Sequence, residues 1–127
     1  MQKKIIKLKS LRLLFVEDEN DLLEIIGDTL TKLDANFTTA SDGKKALDIL
    51  SKEKIDVVIT DINMPVMNGL ELIEKMNENY PHIPTIIMSA HTEMEYIKKA
   101  EKLGVKDYLI KPFDFIKFIE LLATMDK

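Results

Sequence analysis

The sequence of 127 residues is 46% hydrophobic, 31% charged and 6% aromatic, a composition that fits one globular domain and leaves no length for a second. With no cysteine, disulfide frameworks, thiolate metal sites and cysteine nucleophiles drop out, and a reducing cytoplasm is the expected compartment. The net charge of −4 is uneven: residues 1–12 hold five basic and no acidic side chains, so the remaining 13 basic and 22 acidic groups leave −9, a body that nucleic acid phosphates would repel.

The start, Met1-Gln2-Lys3-Lys4-Ile5-Ile6, lacks the apolar core and cleavage site of a signal peptide, and no apolar run nears the ~18 residues of a membrane span. Residues 1–10 read as a basic leader with a frayed, solvated terminus, and the folded domain is expected over 11–127. A first strand, Leu11–Val16, precedes a helix over 20–34 in which Leu22, Leu23, Ile25, Ile26, Leu30 and Leu33 form a broad apolar stripe. The second strand, Asn36–Ala40, is more polar and suits a sheet edge. Asp42-Gly43 opens a helix over 43–53, then come a strand at Val57–Thr60 and, after Asn68-Gly69, a helix over 69–79 that stops at Tyr80-Pro81. A strand at Thr85–Ser89, a helix over 93–103 closed by Gly104, a strand at Asp107–Ile110 and a helix over 114–125 complete the chain. The alternation predicts an α/β doubly wound parallel sheet, with ligands bound beyond the carboxyl ends of the strands.

Residues at those ends carry the chemistry. Glu17-Asp18-Glu19-Asn20-Asp21 follows the first strand, where a phosphate cradle would otherwise sit; it also fits a helix N-terminus, where acids are favoured. Asp61 follows a buried strand, a costly place for a carboxylate unless it is paired, metal-bound or reactive. If the first and third strands are neighbours, Glu17, Asp18 and Asp61 converge, and a hard cation such as Mg²⁺, or Mn²⁺ in its place, resolves their repulsion. Crowding should push at least one of the three carboxyls up. Zinc is a poor alternative, because His82 and His91 show no ligand spacing. Ser89 supplies a hydroxyl and Lys111 an ammonium suited to phosphoryl oxygens, although singly each also fits a turn former or a solvated side chain.

From Leu11 to about Met125 the chain resembles the receiver domain of bacterial two-component response regulators. The residues that carry the resemblance are Val16-Glu17-Asp18-Glu19, the loop Asp61-Ile62-Asn63-Met64-Pro65-Val66-Met67-Asn68-Gly69, and the stretch Gly104-Val105-Lys106-Asp107-Tyr108-Leu109-Ile110-Lys111-Pro112. The resemblance implies a CheY-like, flavodoxin-like (βα)5 fold with strand order 2-1-3-4-5. It implies that Asp61 accepts a phosphoryl group from a sensor histidine kinase or phosphotransfer protein, and that the domain catalyses only its own phosphorylation and dephosphorylation. Asp18, Asp61 and the Asn63 backbone carbonyl would bind Mg²⁺, with Glu17 acting through water. Lys111 would hold a phosphoryl oxygen, Ser89 and Tyr108 would move on phosphorylation, and Asn63 and His91 would tune dephosphorylation. The Lys111-Pro112 peptide is expected to be cis. The surface around Tyr96, Lys98, Asp107 and Lys117 would meet a downstream protein or a second phosphorylated copy.

Other readings fare worse. Dehalogenase-like phosphatases place a second Asp two residues after the first, and here that position is Asn63, which cannot protonate a leaving group. The acidic cluster argues against a flavin-phosphate loop. Thr38 stands where a P-loop preceding Gly43-Lys44 needs glycine, and the four glycines cannot compose Gly-x-Gly-x-x-Gly. A protein-binding pseudo-receiver that needs no phosphorylation is the remaining alternative. Glu17, Ser89 and Val105 depart mildly from the commonest family residues without removing a required group.

Overall fold

The computed structural model describes residues 2–64, 66–89, 94–111 and 114–123. Strand pleating sorts the apolar side chains between two faces of one sheet. In β1 (Arg12–Val16), Leu13 and Phe15 enter one core and Leu14 and Val16 another, all four fully buried. β2 (Asn36–Ala40), β3 (Val57–Asp61), β4 (Thr85–Ser89) and β5 (Asp107–Ile110) join it in the order β2-β1-β3-β4-β5, every pairing parallel. The polar β2 lies at an edge, as its composition predicts.

One face packs on α2 (Asn20–Lys32) and α6 (Phe115–Ala123), where Ile26, Leu30, Phe118 and Leu122 meet Leu13, Phe15, Ile59 and Met88. Phe15 and Phe118 contact edge to face with ring centroids 5.5 Å apart. The other face packs on α3 (Gly43–Lys52), α4 (Gly69–Asn79) and α5 (Met94–Lys102) through Ala46, Leu50, Leu72, Ile73, Met76, Ile97 and Ala100. Local chemistry sets the helix starts. Asp42 Oδ1 accepts from the Lys45 N–H at 2.8 Å, and Asn68 with Glu71 forms a reciprocal capping box at the head of α4. Gly104, at φ 99°, turns the chain after α5.

Two expectations change. The N-terminal segment is not frayed: Gln2–Ser10 forms a helix, α1, that lies against α6. Its Leu8 is fully buried in the core with Leu11, Phe118 and Leu122, and Asn36 Nδ2 donates to the Lys9 carbonyl at 3.1 Å. Among the described residues the fold therefore has six helices rather than five. Asp61 is the last residue of β3 rather than the one after it, and its backbone stays in register with Met88.

Candidate functional site

The central strands β1 and β3 deliver their carboxyl ends side by side, with Val16 opposite Thr60, so Glu17 and Asp61 emerge together. Glu17 continues the ladder by donating its N–H to the Ala40 carbonyl at 3.0 Å, and its side chain is fully buried. Lys111 arrives from the end of β5, positioned by its own N–H on the Ser89 carbonyl at 2.8 Å. Its ammonium donates to Glu17 Oε1 at 2.7 Å and to Asp61 Oδ2 at 3.0 Å. The remaining oxygens are held by backbone: Ile62 N–H donates to Asp61 Oδ1 at 2.7 Å, and Glu19 N–H to Glu17 Oε2 at 3.2 Å.

These contacts fix the electrostatics. Burial pushes the Glu17 carboxyl up to about 7, against the lowering pull of the Lys111 hydrogen bond and with the charge of Asp61 adding to the rise. Glu17 is thus the crowded carboxyl that the sequence leads one to expect. Burial alone would lower the Lys111 ammonium, but its hydrogen bonds to Glu17 and Asp61 outweigh that and hold it above the usual lysine value. Glu17, exposed Asp18 and Asp61 each present an oxygen within 4.8 Å of the others. An all-oxygen donor set at this spacing matches a hard divalent cation.

Ser89 completes the rim in an unexpected state. Its side chain is fully buried at the end of β4, and its Oγ is the one buried side-chain polar atom without a hydrogen-bond partner among the described residues. Such an orphan typically costs ~1–3 kcal/mol, so the Ser89 hydroxyl is left with unused hydrogen-bonding capacity at this end of the sheet. Asn63 is exposed two residues beyond Asp61. Tyr108 pairs with Ile87 in the edge strand β5 and is 40% exposed. His91 and Pro112 lie outside the described residues, as does the peptide expected to be cis.

The structure adds two supports. Lys111, expected at phosphoryl oxygens, bridges two carboxylates with its ammonium. Gly69 is more than punctuation: a Cβ there would collide with the Asp61 carbonyl oxygen, and the Gly69 N–H donates to the Ile62 carbonyl at 2.8 Å. Gly69 lets α4 begin directly against the end of β3. Its place after the capping residue Asn68 was the available signal.

Known proteins share this fold. The family described as response regulator receiver domain matches residues 13–123. Response regulator protein FleR of Pseudomonas aeruginosa is 35% identical over 112 residues, 88% of this chain and 24% of FleR. The DNA-binding transcriptional regulator NtrC of Klebsiella pneumoniae is 35% identical over 84% of this chain and 23% of its own length. This chain therefore spans about a quarter of the length of these curated relatives. Among solved structures, the chemotaxis response regulator CheY4 of Vibrio cholerae superposes with a TM-score of 0.80 at 28% identity, covering 88% of this chain and 98% of CheY4. A response regulator receiver domain protein from Clostridium thermocellum gives 0.82 at 29% identity, over 88% of this chain and 90% of its own. Matched along most of its length in both sequence and fold, the chain belongs to the response regulator receiver domain family.

Proposed function

We propose that Asp61 accepts a phosphoryl group from the phosphohistidine of a sensor histidine kinase or phosphotransfer protein, and that the modified domain then engages a downstream protein. The observation that carries this reading is the Lys111 ammonium, 3.0 Å from Asp61 Oδ2 and 2.7 Å from Glu17 Oε1 at the mouth of the sheet. A carboxylate oxygen of Asp61 attacks phosphorus, the O–P bond forms as the N–P bond breaks, and the electron pair returns to the imidazole of the donor. Ile62 N–H holds the other carboxylate oxygen and orients the nucleophile. Lys111 turns from Glu17 toward an equatorial phosphoryl oxygen, and the Ser89 hydroxyl gains there the partner it lacks. Asp18 and Asp61, with the Asn63 carbonyl and Glu17 through water, are the residues that would hold Mg²⁺. When bound, Mg²⁺ supplies positive charge to the phosphoryl oxygens.

Acetyl phosphate with Mg²⁺ should add one phosphoryl group by intact mass, and Asp61→Asn should add none; equal labelling of the variant would remove Asp61 from this role. Downstream, movement of Ser89 and Tyr108 would bias α5, β5 and α6, where Tyr96, Lys98, Asp107 and Lys117 lie. Hydrogen exchange should change in these segments on phosphorylation, and unchanged exchange there would place the switch elsewhere.

A further inference from the structure

We propose that the basic helix α1 is a self-association element that docks on the acidic face of α2 in a second copy of this chain. α1 carries Lys3, Lys4, Lys7 and Lys9 and no acid. Buried Leu8 anchors it to the core, which leaves Ile6 66% exposed with Lys3 and Lys9 exposed on either side of it in sequence. α2 is the opposite in sign and alike in form. It exposes Asp21, Glu24 and Asp28, with Ile25 59% exposed among them. Among the described residues, none of Lys3, Lys4, Lys7, Asp21, Glu24 and Asp28 makes an ion pair within the chain.

The charge distribution favours a second copy over an unrelated partner. Beyond residue 12 the chain carries −9, so the bodies of two copies repel one another on net charge. Bringing α1 of one copy onto α2 of another turns that repulsion into attraction, and the paired faces each offer one isoleucine to bury. Leu8 of α1 and Ile26 and Leu30 of α2 enter the same core, so both helices flank one side of the sheet. A two-fold axis that seats α1 on the partner's α2 therefore also seats the partner's α1 on this α2, and the contact closes as a dimer. Because α1 is already folded against α6, docking requires no ordering of the segment.

Sedimentation velocity on the full chain tests this at concentrations up to ~500 µM, in salt of ~50 mM and ~500 mM, which shortens the Debye length about threefold. Wild type should form a dimer that weakens about tenfold or more in high salt. K3E/K7E and E24K/D28K, each checked for folding by circular dichroism, should be monomeric alone. Mixed in equal amounts they should form a heterodimer, because one variant then presents acid on both helices and the other base on both. A wild type that stays monomeric in low salt overturns the proposal. So does a dimer that survives in either variant alone, or a mixture that stays monomeric. Monomeric wild type that instead sediments with vesicles containing phosphatidylserine would assign α1 to an anionic lipid surface and equally overturn it.

Discussion

Replacing Glu17 with Gln separates the charge of the buried carboxyl from its shape. The folded protein holds the Glu17 proton up to about 7 against an ordinary value of 4.5. Stability from that proton is present below 4.5 and is lost as pH rises through about 7. At ~1.4 kcal/mol per tenfold change in proton affinity, ionised Glu17 costs the metal-free fold about 3 kcal/mol. Gln keeps an oxygen to accept from Lys111 and carries no charge, so Glu17→Gln escapes the cost. In EDTA, the variant's stability advantage should widen by about 3 kcal/mol between about pH 4.5 and about pH 8, or about 10 °C in melting temperature for a domain of this size. Differential scanning calorimetry of both proteins across that window measures it. A gap that stays constant with pH would refute the reasoning, because burial would then not be holding the proton.

The other predictions probe the neighbouring supports. Asp18→Asn should raise the metal-free melting temperature near neutrality by relieving like charge, while ~100-fold excess Mg²⁺ over its Kd should stabilise wild type by about 2.7 kcal/mol and the variant far less; equal Mg²⁺ shifts would exclude the metal site. Lys111→Met should fold yet lose ~tenfold or more of acetyl phosphate labelling, and its melting temperature should fall most above about pH 7, where Glu17 ionises without a counter-ion. Gly69→Ala drives a Cβ into the Asp61 carbonyl and should cost ~2 kcal/mol or more by urea denaturation, whereas a loss below ~0.5 kcal/mol would show that the loop yields freely. Leu8→Ala should cost ~2–4 kcal/mol if α1 is part of the core, and a neutral result would return residues 1–10 to a solvated leader.

Much of the architecture was legible because parallel strands buried on both faces must read as apolar runs. β1, β3 and β4 do so, and their buried residues continue nearly unbroken to the sheet's carboxyl edge. The site was legible for the complementary reason: Glu17, Asp61 and Ser89 are polar residues where such runs leave no solvent to satisfy them, so each demands a partner. α1 was hidden because a nine-residue helix with four lysines shows almost no apolar periodicity, and its place rests on tertiary packing through Leu8. The bridging of Lys111 was hidden for another reason. It joins residues 94 and 50 positions apart, and its geometry depends on a backbone bond between Lys111 and Ser89 that no local pattern announces. The unpartnered Ser89 hydroxyl and the raised Glu17 carboxyl are both polar groups withdrawn from solvent at the carboxyl edge of the sheet, and burial lifts Glu17 against the opposing pull of Lys111. The Lys111 ammonium serves both carboxylates while the Ser89 hydroxyl stays without a partner among the described residues, so this edge holds one carboxyl whose charge burial opposes and one hydroxyl with unused hydrogen-bonding capacity.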